Sequence, residues 1–161
     1  MIQKEYIINV TEYNSEAELH LDEQGLIQSA KKAAKDAYAP YSHFKVGASV
    51  LLQNGEIISG NNQENAAYPS GICAERVAVF FANAKYPTVP IIKIAICAEN
   101  ENGVLKNPVS PCGACRQVLL ETEIRFDVPI KLILIGTEKI ITINSVSQLL
   151  PLHFKKENLN E

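Results

Sequence analysis

Basic residues are scarce in this chain. Fifteen Lys and Arg stand against eighteen Asp and Glu, for a formal net charge of −3 over 161 residues. That balance argues against a nucleic-acid-binding surface, which draws on clustered Lys and Arg. Lys31, Lys32 and Lys35 are the nearest thing to a basic cluster, and they read as the solvated face of a helix. No apolar run approaches the roughly 20 residues needed to span a bilayer. The opening MIQKEYIINV lacks the basic n-region, apolar h-region and cleavage site of a secretory signal. Cysteine is sparse as well, at four residues, two of them in C-x-x-C spacing. Without a secretory signal, that usage fits a reducing compartment and metal binding better than disulfides. The expectation is a cytoplasmic protein. Internal repeats and low-complexity segments are absent.

What is present reads as one domain, long enough to bury a real core, with 47% apolar and 20% charged residues ordinary for a globular chain. Residues 1–20 read as an appended arm with one β-like run at 6–10, ahead of a domain over 21–161. Asp22 is placed to cap a helix through about Tyr38, with Leu26, Ile27, Ala30, Ala33, Ala34 and Ala37 on one face until Pro40 stops it. Apolar runs at 46–52 and 57–60 flank Asn54-Gly55, a hairpin signal. A helix is predicted from near Cys73 to about Ala84, burying Val77, Phe80 and Phe81, and another from about Cys112 with Val118 and Leu119 inward. Runs at 91–98 and 130–135 read as central strands covered on both faces, with a shorter strand at 140–143 and a last short helix ending at Leu150-Pro151. The order predicts an α/β fold of three layers, helices covering both faces of a mixed, mostly five-stranded sheet.

The residues with the most to say are Cys73-Ala74-Glu75 and Pro111-Cys112-Gly113-Ala114-Cys115. They supply three thiolates for one Zn²⁺ and leave its fourth position free. A closed structural zinc site takes four Cys or His ligands, whereas a catalytic site takes three and keeps a vacancy. Alone, Cys112 and Cys115 also suit a redox pair or half of a structural zinc site. The paired C-x-E upstream shifts the balance to a catalytic centre, because a carboxylate two residues after the first thiolate can serve a water there. This arrangement is the known signature of zinc nucleobase deaminases. Both halves sit where a helix begins, and unpaired N–H groups with the helix dipole favour thiolate there. Three thiolates on Zn²⁺ leave a net negative charge, which Arg76 is placed to offset by donating to a sulfur. Cys97, inside the apolar run, reads as a small buried hydrophobe.

Beyond these motifs the sequence resembles the cytidine deaminase family, of the small, homotetrameric, all-cysteine-ligand type. Tyr41-Ser42-His43-Phe44, Val46-Gly47-Ala48, Asn62-Gln63-Glu64-Asn65-Ala66, Tyr68-Pro69, Gly71 through Arg76, Ser110 through Gln117, and Leu149-Leu150-Pro151 with Phe154 fit its pattern in order. The resemblance spans roughly residues 24–159. It implies a cytidine-deaminase-like catalytic domain, one zinc per chain on Cys73, Cys112 and Cys115, and Glu75 as proton shuttle. It also implies ribose recognition by Asn62 and Glu64, base packing on Phe44, and a stacking ring, Phe154, from a neighbouring subunit of a homotetramer. The implied reaction is hydrolysis of cytidine or deoxycytidine to the uridine nucleoside and ammonia, in pyrimidine salvage. Asn61, Gln63 and Ala67 depart from the family's usual residues, and the arm is longer than usual. His20, His43 and His153 show no ligand spacing with the cysteines.

Three other readings stay open on sequence. A deaminase of another aminopyrimidine nucleoside, of the blasticidin-S type, shares the zinc motif, although Asn62, Glu64 and Phe44 together favour a plain ribose-bearing substrate. A deaminase of RNA or DNA is disfavoured by the acidic charge and the lack of a basic or aromatic groove. A non-catalytic zinc-stabilised module would need a fourth ligand, and no further Cys or His stands at a suitable spacing.

Overall fold

A computed structural model describes residues 1–159. Seven strands form one sheet: β1 (Thr11–Tyr13), β2 (Lys45–Leu52), β3 (Ile57–Asn61), β4 (Ile91–Asn100), β5 (Gly103–Val104), β6 (Lys131–Ile135) and β7 (Ile140–Ile143). Their order is β1-β7-β6-β4-β2-β3, with β5 paired to β4. The pair β4–β6 is parallel and the others are antiparallel. Five longer strands make the body of the sheet, as the sequence predicts, and two short ones extend it.

Alternation along the strands explains the three layers. Ile94, Ile96, Leu132 and Leu134 pack under α2 (Ala74–Lys85) and α3 (Gly113–Phe126). The intervening Ala95, Cys97, Ile133 and Ile135 pack with α1 (Leu21–Lys35) on the other face. Burial on both faces is why these strands read as unbroken apolar runs. Each fully buried Ile or Leu contributes roughly 1.5–3 kcal/mol.

Two glycines on neighbouring strands set how closely the helices approach. A Cβ at Gly47 would lie 2.1 Å from the Ala30 carbonyl oxygen of α1, and one at Gly60 would lie 2.6 Å from the Ala78 nitrogen of α2. Gly60 therefore seats the first turns of α2 against β3. Gly60→Ala is expected to destabilise the fold by about 1–3 kcal/mol or more, because the obstructing atoms are backbone. Urea unfolding checks this, and an unchanged midpoint would mean that α2 can slide without cost.

Several sequence expectations shift. The arm's strand is at Thr11–Tyr13, paired with β7, and not at 6–10. Thr11–Tyr13 is where the chain meets the free edge of β7, and cross-strand pairing overrides the apolar run before it. His20, not Asp22, caps α1, and Asp22 pairs with Lys93 instead. The helix ends at Lys35. Phe80 and Phe81 are exposed, not buried. The face of α2 that meets the sheet carries Ala74, Ala78, Val79 and Ala82, since the close approach at Gly60 admits only small side chains. The last helix is a short 3₁₀ turn, Val146–Leu149.

Candidate active site

Both α2 and α3 begin on a cysteine. Cys73 and Cys112 are their N-cap residues, and neither sulfur caps its own helix. The two helix starts, on the same face of the sheet, bring the Sγ atoms of Cys73, Cys112 and Cys115 within 4.8 Å of one another. Cys73 and Cys112 sulfurs are 3.9 Å apart. Tetrahedral Zn–S bonds of about 2.3 Å place sulfurs roughly 3.8 Å apart, so the donor set and its spacing fit a single zinc. Among the described residues no further His, Cys, Asp or Glu joins the group.

The electrostatics favour a bound cation. The hydrogen bond shared with Cys115 leads in holding the Cys73 thiol down to about 5, and Arg76 and Cys112 add to it against the opposing pull of burial. The same shared hydrogen bond, then burial, pushes Cys115 up. Arg76 Nη2 lies 3.7 Å from Cys73 Sγ, and its Nε, buried, has no acceptor among the described residues. Glu75, in the first turn of α2, is 5% exposed. Burial raises its carboxyl above the usual range. Cys97 lies apart from this group, buried under α1, and burial pushes its thiol up to about 11.

A cleft of about 740 Å³ opens over Cys73, Glu75 and Cys112, within the range of small-molecule sites (roughly 300–1,000 Å³). Phe44, Asn62 and Glu64 line it, whereas Cys115 lies below and Phe154 is not on its wall. Tyr41 and Tyr68 stand at its side with ring centroids 6.1 Å apart. Sequence reasoning gave these two rings no role, although both lie within the motifs that carry the family resemblance. A second hollow of about 570 Å³ lies between α1 and the arm, lined in part by Lys31, Lys32 and Lys35, and shares no lining residue with the cleft.

Asn62 and Glu64 build the wall on which they sit. The Asn62 amide accepts from Val46 N at 2.7 Å and donates to Phe44 O at 3.0 Å, mimicking a strand beside Phe44. One Nδ2 hydrogen and one Oδ1 lone pair remain for a ligand. Glu64 accepts from Tyr41 N at 2.9 Å, from Ser42 N at 3.3 Å and from the Ser42 hydroxyl. The Ser42 hydroxyl leads in holding the Glu64 carboxyl below its usual range. The loop so held contains His43, at φ 54°, a left-handed turn that reverses the chain before Phe44. Gln63, between the two, exchanges backbone hydrogen bonds of 3.0 Å each way with Ile72, which fixes the approach to Cys73. Of the unusual residues, Asn61 turns from the cleft to donate to the Ala33 carbonyl, and Gln63 donates to Asn61.

Residues 21–128 match the model of the cytidine and deoxycytidylate deaminase zinc-binding region. The chain belongs to this family. It is 40% identical over 141 residues to the cytidine deaminase of Halalkalibacterium halodurans, covering 88% of this chain and all of that one. Against the cytidine deaminase of Sporosarcina psychrophila it is 41% identical over 140 residues, covering 87% and 96%. The crystal structure of the cytidine deaminase from Burkholderia pseudomallei superposes with a TM-score of 0.69 at 39% identity, covering 81% of this chain and 97% of that one. That of the Mycobacterium tuberculosis enzyme does so at 0.64 and 30% identity, covering 84% and 99%. In this deaminase-family chain the three sulfurs and the buried Glu75 all lie within the matched span, residues 21–128.

Proposed function

We propose that this chain hydrolyses cytidine and deoxycytidine to the uridine nucleosides and ammonia. One observation carries the reading: a buried carboxylate, Glu75, shares the floor of the cleft with Cys73 and Cys112, while Asn62 and Glu64 line the wall. Cys73, Cys112 and Cys115 would hold the zinc, which supplies the Lewis acidity that lets water lose a proton near neutral pH. The Glu75 carboxylate takes that proton from the water that attacks the ring carbon bearing the amine. It delivers that proton to the ring nitrogen, where it stays, and then carries the remaining proton of the added hydroxyl to the amine, so that the C–N bond breaks, the carbonyl forms and ammonia leaves. A carboxyl raised by burial is suited to both accepting and returning a proton. Arg76 offsets the charge of the thiolates. Phe44 packs against the base, and the free valences of Asn62 and Glu64 hold the ribose hydroxyls.

A nucleoside fits better than a nucleotide. Among the described residues lining the cleft, Arg76 is the one cation, and it is committed to Cys73, while the Glu64 carboxylate repels a phosphate. Incubating the purified protein with cytidine should shift its ultraviolet spectrum to that of uridine with equimolar ammonia. Cytidine 5′-monophosphate should turn over far more slowly. An unchanged spectrum with zinc-loaded protein would refute the activity, and equal rates would refute the nucleoside preference.

The assembly belongs to the same proposal. Phe154 is 59% exposed and does not line the cleft of its own chain. In a homotetramer it completes the pocket of a neighbour, where its ring gains both burial and stacking on the pyrimidine. Phe80 and Phe81, exposed on α2, are apolar surface suited to such contacts. Phe154→Ala should raise KM for cytidine without removing zinc. Light scattering that finds a fully active monomer would overturn the shared pocket. The described residues contain no helix long and apolar enough to cross a membrane, and the setting we propose is cytoplasmic pyrimidine salvage.

A further inference from the structure

The helix that carries two of the cysteines also holds the chain's C-terminal segment, through three further side chains. Near its far end, Glu123 is buried and accepts from Ile130 N at 2.8 Å, Val146 N at 2.9 Å and the Ser145 hydroxyl at 2.6 Å. At its start, Arg116 donates from Nε to Pro111 O at 2.8 Å and from Nη1 to Leu149 O at 3.3 Å. One residue on, Gln117 Nε2 donates to the Phe154 carbonyl at 3.0 Å. Between these points the segment closes on itself, His153 Nδ1 meeting Leu150 O at 2.7 Å.

The tethers are unequal in what they control. Residues up to Leu149 are held by Glu123 and Arg116 together. Beyond Pro151, among the described residues, Gln117 is the one side chain of the domain body that hydrogen-bonds to the segment. The backbone carbonyl of Phe154 is thus pinned while the residue as a whole stands 59% exposed. A pinned backbone under an outward ring suits presentation to another molecule, because the orientation is settled before contact.

We propose that Gln117 is a positioning residue for the shared pocket: its hydrogen bond to the Phe154 carbonyl holds that ring at the angle a neighbouring subunit's nucleoside requires. The inference rests on the proposed role of Phe154 between subunits. Without the tether, the competent orientation is only one of several, and apparent affinity falls by the fraction of time it is occupied.

A double-mutant cycle with Phe154→Ala tests it, reading KM and kcat for cytidine, zinc content and assembly mass on the intact zinc-loaded protein. Gln117→Ala should raise KM roughly 2- to 12-fold, the equivalent of one net hydrogen bond. Gln117→Glu keeps the size but loses the donor, and it should do the same. In both, kcat should stay within about twofold, the mark of lost binding that is common to ground and transition states. In the Phe154→Ala background, Gln117→Ala should add nothing. If Phe154→Ala raises KM and the Gln117 variants do not, or if the two effects add in full, the positioning role is overturned while the shared ring stands. If Phe154→Ala leaves KM unchanged, the shared ring fails and the role of Gln117 falls with it.

Discussion

Glu75→Gln should keep its zinc and its fold while losing turnover by ~10²–10⁴, the range that proton relay by a placed group contributes. The amide is nearly isosteric with the carboxyl and fits the same buried space in the first turn of α2. It cannot take a proton from the attacking water and return it to the ring. The side chain is not one of the three clustered donors, so the metal should stay. Steady-state kinetics paired with metal analysis separates the two effects. Near-wild-type turnover at full zinc content would remove Glu75 as the shuttle.

Cys112→Ala and Cys115→Ala should each lose most of the zinc. Two sulfurs do not make a catalytic zinc site, which takes three protein ligands. The two variants should part in stability. Cys112 is exposed at the helix start, whereas Cys115 is fully buried, so the Cys115 variant loses packing as well as a donor. Metal analysis after gel filtration gives the answer, and zinc content equal to that of the unmodified chain in both would sink the assignment of ligands. A melting temperature lower for Cys115→Ala than for Cys112→Ala is the accompanying expectation.

The zinc cluster was legible in the sequence because metal ligation imposes residue type and spacing together. Cys73, Cys112 and Cys115 have few other reasons to recur so near helix starts. The central strands were legible for a comparable reason: burial on both faces removes polar residues from the run, as at Ile94 through Ala98. The two phenylalanines of α2 misled because hydrophobicity records that a residue avoids water without recording which neighbour receives it. Close packing at Gly60 reserved the inward face for alanines and left Phe80 and Phe81 outside. Asn62 and Glu64 are candidate ligand-binding residues through resemblance alone, and their hydrogen bonds to the backbone of residues 41–46 were not legible in the sequence. Contacts between side chain and distant backbone leave no periodic trace. The bond from Gln117 to Phe154, across 37 positions, is of the same kind.

The parallel pairing of β4 with β6 orders events during synthesis. Parallel neighbours need a long crossover, and here the crossover carries Cys112, Cys115 and α3. The hairpin β2–β3, the helix bearing Cys73 and Glu75, and strand β4 are all made before either later cysteine leaves the ribosome. A nascent chain that has reached Asn100 therefore owns most of the cleft and one of the three clustered sulfurs, that of Cys73. Chelation becomes available only after α3 emerges, and β6 must then add beside β4 to close the crossover. Capture of a metal by all three sulfurs therefore cannot precede the synthesis of α3, when β2 through β5 have been made and β6 and β7 have not.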